Sequence, residues 1–311
     1  MIEHESDNAP DGSFDVAFVA LGYETRCQWV WSESSLAAKV KIATQFGFLT
    51  QGKHSSNFDY FKSEGFMNVL GVGDQAVADI IEILRPFGSP PEVSIFVDIS
   101  SMSREMIANV ILAVNNAFCS SMVCITVAYA PSKFVESADA APIRVARPIT
   151  RVLSGWSAMP EKPLGAIFGL GCESGLALGA MQVLEPDNAW LFTPVGLDDR
   201  FSASLRAANE HIEDIFDVTR FAYDIRSPST LRAKYESLLN SIGDEFRLIT
   251  VPFGPKLFAW SVLSTLIFSG RDDVGVWTFS SAEQGHAADR EAEGPIIWHS
   301  LGVSPRKLCP V

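Results

Sequence analysis

An internal repeat constrains the fold of this chain more than any other feature of its sequence. Residues 16–22 read VAFVALG and residues 165–171 read GAIFGLG, so each is an apolar run that ends in Leu-Gly. The similarity extends further, because a glutamate stands two positions after each glycine, at Glu24 and Glu173. Both runs are short and continuously apolar, which is typical of parallel strands that are buried on both faces. The repeat predicts two related halves.

Two further pairs of features follow in the same order, again about 150 residues apart. The strand-like run VSIFVD leads through a polar turn to Arg104 and an apolar helical stretch, and the run RLITV leads through a turn to Lys256 and a similar stretch. The strand-like runs VCITVAY and VGVWTF then close the two halves. Three features in one order at one spacing indicate an internal duplication.

Helical patterns separate the strand-like runs, for example over 74–84, 201–216 and 228–242. Strands that alternate with helices predict a parallel, doubly wound sheet. We therefore predict an α/β fold with two pseudo-symmetric Rossmann-like halves and mostly parallel sheets. Its predicted parts are a flexible lead-in over 1–14, a first half over 15–136, a linker over 137–163 with one short strand at 143–146, and a second half over 164–311.

Composition limits the classes of function. The chain has 311 residues, of which 47% are hydrophobic, so a sizeable core can form. Its apolar runs are far shorter than the roughly 20 residues that span a bilayer, and the polar, acidic N-terminus does not resemble a signal peptide. The formal net charge of −13 disfavours general nucleic-acid binding, because an acidic surface repels phosphate backbones. A small anionic ligand is still compatible with it, since local basic and N–H groups can hold one.

Cysteine and histidine spacing indicates neither disulfides nor a metal site. The five cysteines are odd in number and form no CxxC pair, which predicts reduced thiols in a cytoplasmic protein. The five histidines lack metal-ligand spacing, and the HExxH, GxSxG and Walker A motifs do not occur. Among the histidines, His286 stands out because it lies in a polar loop after a predicted strand. The identity of any cofactor is left open.

Ligands of open parallel sheets bind outside the carboxyl ends of the strands, where all four repeated turns are expected to lie. We therefore predict one ligand site between the two halves. The second turn of the first half offers the most polar groups, because a helix N-terminus and a basic side chain both suit a phosphate. Its polar residues are Asp98, Ser100, Ser101, Ser103 and Arg104. Alternatively, Ser101 or Ser103 only caps the helix.

The other turns offer fewer groups. Gly254 lets the main chain approach a ligand and Lys256 could reach an anion, but a rigid turn with a solvated lysine fits equally well. Glu24 and Glu173 could accept from a ribose hydroxyl, act as a general base, or pair with a basic neighbour such as Arg26. The predicted ligand-binding residues are Glu24, Arg26, Asp98, Ser100, Ser101, Ser103, Arg104, Glu173, Gly254 and Lys256.

The turn at 98–104, DISSMSR, resembles the ligand loop of the CARF family, whose Rossmann-like domains sense cyclic oligonucleotides. That loop has small polar residues and ends in Lys or Arg. The related SAVED domain resembles two fused CARF-like halves, which is the layout predicted above. The resemblance implies a nucleotide-sensing protein. The chain departs from the common Gly-Gly-Thr-Lys form of the loop, and it carries no recognisable effector nuclease domain.

These observations favour the binding or sensing of an anionic, nucleotide-like ligand, with regulation of a protein partner or assembly with further copies of the chain. One alternative is an enzyme of nucleotide or phosphosugar metabolism that uses Glu24, Asp98 or Glu173 as acid-base groups. Another is a non-catalytic scaffold subunit. The sequence does not decide whether a reaction is catalysed, and it does not identify the ligand, the partner or the oligomeric state.

Overall fold

The computed structural model describes residues 2–10, 12–47, 53–136, 142–155, 159–196, 198–280 and 289–305, so the candidate His286 lies outside the described residues. In chain order the strands are β1 (Ile2–Ser6), β2 (Ser13–Leu21), β3 (Ala37–Gln45), β4 (Met67–Leu70), β5 (Glu92–Asp98), β6 (Met122–Tyr129), β7 (Val145–Pro148), β8 (Leu164–Gly169), β9 (Asn188–Val195), β10 (Val218–Asp224), β11 (Arg247–Pro252), β12 (Gly275–Ser280) and β13 (Ile297–Val303). The α-helices are α1 (Trp29–Glu33), α2 (His54–Ser63), α3 (Ala76–Leu84), α4 (Arg104–Ala117), α5 (Leu176–Leu184), α6 (Asp199–Ala208), α7 (Ile212–Ile215), α8 (Pro228–Ile242) and α9 (Lys256–Ser269).

The chain divides into two compact units. The first comprises residues 1–133, 267–269 and 286–311, and the second comprises residues 134–266 and 270–285. These bounds differ from the predicted ones at two places. The C-terminal stretch belongs to the first unit, and the predicted linker belongs to the second.

The first unit contains one sheet with the strand order β1-β13-β6-β5-β2-β3-β4. The strands β6, β5, β2, β3 and β4 are parallel to their neighbours, whereas β13 runs antiparallel to β6 and β1 antiparallel to β13. Numbered by their place in the chain, the five parallel strands have the order 3-2-1-4-5. That is the Rossmann order, and its topological switch point lies between β2 and β5.

The second unit repeats this topology. Its sheet has the order β10-β9-β8-β11-β12-β7, in which five strands are parallel and β7 runs antiparallel to β12. The parallel strands again have the order 3-2-1-4-5, with the switch point between β8 and β11. The predicted fold class, α/β with two Rossmann-like halves and mostly parallel sheets, is therefore confirmed.

The sixth strand of each sheet comes from the chain that follows the other half. The strand β7 follows the first half in sequence, but it pairs with β12 in the sheet of the second unit. The strand β13 follows the second half, but it pairs with β6 in the sheet of the first unit. The short strand predicted at 143–146 is observed as β7, and its exchange with β13 explains why the predicted domain boundaries differ from the observed units.

Two further elements differ from the sequence-based expectation. The lead-in that was expected to be flexible contains β1, whose polar residues gain their order by pairing with β13 near the other end of the chain. The helix expected over 201–216 is observed as α6 and α7, separated at Asn209. The helix α6 ends at Asn209. The side-chain amide of Asn209 donates to two main-chain oxygens, and the chain leaves the helical path there.

The central strands and two of the helices form the cores of the units. In β2 the six residues from position 16 to position 21 are all buried, as the continuous apolar run predicts. The helix α4 has ten consecutive buried residues from position 106 to position 115, so it is buried on every face. Its counterpart α9 is buried in the same way. None of the helices in the described part of the chain combines the length and the apolar character that a membrane span requires.

Candidate functional site

The switch point of the first unit brings together the turns that follow three adjacent strands. The turn after β2 covers 22–28, the turn after β5 covers 99–103, and the chain after β6 begins at Ala130. Because β6, β5 and β2 are parallel neighbours, the three turns leave the same edge of the sheet. The sequence-predicted residues Glu24, Arg26 and Ser101 meet at this edge.

A buried ion pair links these turns. The Nε atom of Arg26 donates to Oε2 of Glu24 at 2.7 Å, and the hydroxyl of Ser101 donates to the same oxygen at 2.9 Å. The guanidinium of Arg26 also donates to the main-chain oxygen of Ala130 at 3.2 Å. The side chain of Arg26 is 6% exposed and that of Glu24 is 14% exposed. The Glu–Arg pair that was considered from the sequence as a structural alternative is thus present, and it joins all three turns.

Tyr129, which sequence reasoning did not select, belongs to the same group. It ends β6, it is buried, and its hydroxyl lies close enough to Arg26 for that charge to act on it. Burial raises the pKa of Tyr129, while the positive charges of Arg26 and Arg104 act in the opposite direction. The charge of Arg104 therefore acts within this cluster. The available sequence signal was the position of Tyr129 at the end of the third repeated run.

The charge of Arg26 is also set by its neighbours. Burial by itself lowers the pKa of a guanidinium, but the carboxylate of Glu24 and the hydroxyl of Tyr129 outweigh that effect and raise the pKa of Arg26. Arg26 is therefore a permanent buried cation. Such a charge is tolerated in a core only with a close counter-charge and satisfied hydrogen bonds, which Glu24 and Ala130 provide.

The serines of the turn after β5 hold the turn itself. Ser103 is the N-cap of α4, because its hydroxyl accepts from the main-chain N–H of Met106 at 3.1 Å. Ser100 is completely buried, and its hydroxyl accepts from the N–H of Ala130 at 2.8 Å. The N–H of Ser100 donates to the buried carboxylate of Asp98 at 2.9 Å. Helix capping, the alternative considered from the sequence, is therefore observed at Ser103.

The turn after β2 is anchored by an asparagine that sequence reasoning missed. The side-chain amide of Asn57, on α2, donates to the main-chain oxygens of Gly22 and Glu24, both at 2.9 Å. The side chain of Gln28 in turn donates to Oδ1 of Asn57 at 2.8 Å. Asn57 is buried, so its hydrogen bonds hold the main chain of the repeated Leu-Gly turn against α2.

The second unit anchors its own repeated turn in the same way. The side-chain amide of Asn209 donates to the main-chain oxygen of Gly171 at 2.9 Å and to that of Leu205 at 2.7 Å. The buried Oδ1 of Asn209 accepts no hydrogen bond from the described residues, whereas Gln28 serves the equivalent atom in the first unit. At the offset of the repeated glycines, Ala177 takes the place of Gln28. The two turns therefore share an anchor but differ in its second contact.

Two glycines bring the turns of the second unit into main-chain contact. Gly254 has a φ of +69°, and a Cβ atom there would overlap the main-chain oxygen of Leu170. A Cβ atom on Gly171 would lie 2.9 Å from the main-chain nitrogen of Gly254 and would overlap the carboxylate of Glu173. The main chain at Gly254 thus closely approaches the chain itself, whereas the prediction concerned a ligand.

The remaining predicted residues occupy equivalent edges of the two units. Lys256 is the first residue of α9, as Arg104 is the first residue of α4, and both helices follow the fourth parallel strand of their sheet. Glu173 is exposed in the turn after β8. The structure therefore gathers Glu24, Arg26, Ser101 and Arg104 in the first unit, and it places Glu173, Gly254 and Lys256 at the corresponding edge of the second.

The cysteines only partly follow their prediction. Cys27, Cys124 and Cys172 are free, but Cys119 is disulfide-bonded, so the prediction of five reduced thiols is wrong at Cys119. Burial raises the pKa of Cys27 to about 11, so its thiol is protonated at neutral pH. The described residues contain no group of three side chains suited to hold a metal ion.

Comparison of the chain with models of known protein families and with curated proteins found no match.

Proposed function

We propose that the carboxyl edge of the first unit binds a small anionic ligand of the nucleotide class, and that the protein senses this ligand. The position of Arg104 carries the proposal. It begins α4 beside the switch point, where Glu24, Arg26 and Ser101 form a charged and polar cluster. Ligands of doubly wound sheets bind outside this point, because the turns diverge there and leave a crevice.

Electrostatics support an anionic ligand. The N-terminus of a 14-residue helix carries a partial positive charge, because its first N–H groups have no main-chain partner within the helix. A guanidinium adjacent to such a helix start matches a phosphate in charge and geometry. In a chain with a net charge of −13, few other places attract an anion.

Binding suits the cluster better than proton transfer does. One oxygen of Glu24 already accepts from both Arg26 and Ser101, so the carboxylate is held in a fixed ion pair. A fixed carboxylate at a strand end can accept from a ribose hydroxyl without changing its protonation state. A general base must instead exchange protons with a substrate. We therefore favour a sensor over the alternative enzyme.

The duplicated layout supports the choice of ligand class. The second unit begins α9 with Lys256 at the position of Arg104, so each half provides one basic residue. The resemblance of the turn at 98–104 to the CARF ligand loop, and of the layout to the SAVED domain, implies a cyclic oligonucleotide. We propose that binding is relayed to a protein partner or to a further copy of the chain.

Calorimetric titration of the full chain with inorganic phosphate, ATP, cyclic AMP, cyclic di-AMP and a cyclic oligonucleotide tests this function. We expect Arg104→Ala to weaken nucleotide binding roughly tenfold to a hundredfold, because it removes a charged hydrogen-bond partner. Arg85→Ala is the matched control, since Arg85 is exposed, follows the C-terminal end of α3 and pairs with Glu82. Unchanged affinity in a folded Arg104→Ala variant, or no binding of any probe, would contradict the proposal.

A further inference from the structure

A short segment of the first unit crosses the proposed site. Residues 289–293, which we call the strap, precede β13 in the chain. The carboxylate of Asp289 accepts from the main-chain N–H of Thr25 at 2.7 Å and from the Thr25 hydroxyl at 2.8 Å. The main-chain oxygen of Arg290 accepts from the N–H of Arg26 at 3.1 Å. The first end of the strap is therefore bound to the turn after β2.

The second end of the strap is bound to the chain that follows β6. The main-chain oxygen of Glu291 accepts from the N–H of Lys133 at 2.9 Å, and the N–H of Glu293 donates to the oxygen of Pro131 at 2.9 Å. The two segments form an antiparallel bridge between these contacts. The strap thus extends from the carboxyl end of β2 to that of β6.

The strand β5 lies between β2 and β6, so the strap passes the turn that follows β5. Adjacent strands are about 4.8 Å apart, and the strap therefore spans roughly 10 Å across this edge. The turn at this point is buried to an unusual degree for a loop at a strand end: Ile99 is 0% exposed, Ser100 0%, Ser101 6% and Met102 0%. The strap therefore lies across a buried turn and is bound to the chain on either side of it.

The contacts of the strap differ in how readily they exchange with water. The two hydrogen bonds between Asp289 and Thr25 are exposed, so water can take the place of either partner when they break. The ion pair of Arg26 and Glu24 is buried and would be left without its partners if it opened. The Asp289 end of the strap is therefore the part of this edge that opens most easily.

We propose that the strap is a gate on the first-unit site. When it is closed, it covers the turn after β5, and when its Asp289 end is released, a phosphate group reaches Ser101 and Arg104. This inference rests on the proposed function of the same site. If the gate is mostly closed, the apparent association constant of the site equals the intrinsic constant multiplied by the fraction of molecules in which the gate is open.

Hydrogen exchange followed by mass spectrometry on the full, ligand-free chain tests the gate without a ligand. We expect Asp289→Ala to speed exchange in peptides that cover 24–27 and 98–104. Glu291→Ala is the matched control, because it removes the same charge from the same strap while its side chain pairs with Lys133. It should leave exchange over 98–104 at the wild-type rate. Unchanged exchange over 98–104 in Asp289→Ala would overturn the gate.

Titration of the same variants with ATP and cyclic di-AMP gives the second test. We expect Asp289→Ala to bind the nucleotide roughly tenfold more tightly than wild type, since it loses two hydrogen bonds that hold the gate closed. Glu291→Ala should bind as wild type does at 0.15 M salt, where exposed charges are screened. Equal tightening in both variants would show a simple charge effect and would overturn the gate.

The two tests separate the gate from the function on which it rests. Unchanged or weakened binding by Asp289→Ala, with Arg104→Ala still weakening it, overturns the gate and leaves the ligand site supported. Faster exchange in Asp289→Ala, with no binding of any probe by any variant, overturns the proposed function and the ligand role of the strap together.

Discussion

Asn57 and Asn209 occupy the same place in the two halves, since each donates its side-chain amide, at 2.9 Å, to the main-chain oxygen of the glycine in the repeated Leu-Gly turn. The glycines are Gly22 and Gly171, and each asparagine lies 35 or 38 residues further along the chain. Both amides are buried, so each replaces the water that a turn carbonyl would otherwise bind. The duplication therefore extends to the side chains that fix the turns.

We expect Asn57→Ala and Asn209→Ala each to lower the free energy of unfolding by about 1–3 kcal/mol, because each leaves a buried carbonyl without a donor. Asn57→Ala should also weaken nucleotide binding, since Asn57 holds the main chain at Glu24. Urea unfolding and calorimetric titration measure the two effects. Asn68→Ala, at an exposed position of β4, is the control and should change stability by less than about 0.5 kcal/mol. A similarly small effect at Asn57 would remove the anchoring role.

The buried ion pair gives a second prediction. Arg26→Met should destabilise the chain by about 3 kcal/mol, because it leaves the carboxylate of Glu24 mostly buried without its counter-charge. Glu24→Gln combined with Arg26→Met should cost less than the sum of the two single changes, since the double variant has no unpaired charge. A double-mutant cycle in urea measures this coupling. Strict additivity would mean that the two side chains do not depend on each other.

Continuous apolar runs made much of this fold predictable. The first, fourth and fifth parallel strands of the first half are short, mostly buried runs, and their order along the chain predicted which turns meet at the switch point. By contrast, the polar strand β1 and the exchanged strands β7 and β13 depend on partners far away in sequence. Local periodicity contains no information about such partners. For this reason the predicted domain boundaries differ from the bounds of the observed units.

The candidate site was predictable to a similar extent. The residue types of Glu24, Ser101 and Arg104 at strand ends were sufficient to select them. Their accessibility was not predictable, because the strap, which is bound to the chain on either side of the turn of Ser101, follows that residue by almost 190 residues. Tyr129 was missed because an aromatic residue at the end of an apolar run resembles any core residue until its contact with Arg26 is known.

The strand exchange leads to a third prediction. Leu301→Ala in β13 should cost about 2–5 kcal/mol, since Leu301 is completely buried. The loss of stability should be found in the first unit, although Leu301 follows the second half in sequence. We expect faster hydrogen exchange in peptides from β6 and little change in peptides from β12. Phe279→Ala in β12 is the converse control, and it should affect β7 instead. Faster exchange in β12 of the Leu301→Ala variant would contradict the observed pairing.

The fourth prediction concerns the opposite edge of the first sheet, where Asp15 joins β2 to both neighbouring strands. One carboxylate oxygen accepts from Nζ of Lys39 at 2.7 Å, and the other accepts from the N–H and the hydroxyl of Ser94, both at 2.9 Å. Burial alone would raise the pKa of Asp15, but these hydrogen bonds and the charge of Lys39 outweigh it, and the pKa lies below its usual value of 3.8.

A carboxyl group with a lowered pKa in the folded state stabilises the fold above its unfolded pKa, and this contribution is lost as the pH falls through the folded pKa. At pH 7, Asp15→Asn should therefore lower the free energy of unfolding by about 1–2 kcal/mol, because the amide keeps one acceptor and loses the charge. The difference from wild type should begin to shrink as the pH falls below about 4, the pKa of Asp15 in the unfolded chain, and should continue to shrink as the pH falls through the lower folded pKa, where the wild-type carboxyl also becomes neutral. Urea unfolding at several pH values measures this trend, with Asp59→Asn, at an exposed position of α2, as the control. A difference that stays constant from pH 7 to pH 3 would show that the shape of the side chain at position 15, and not its charge, stabilises the sheet.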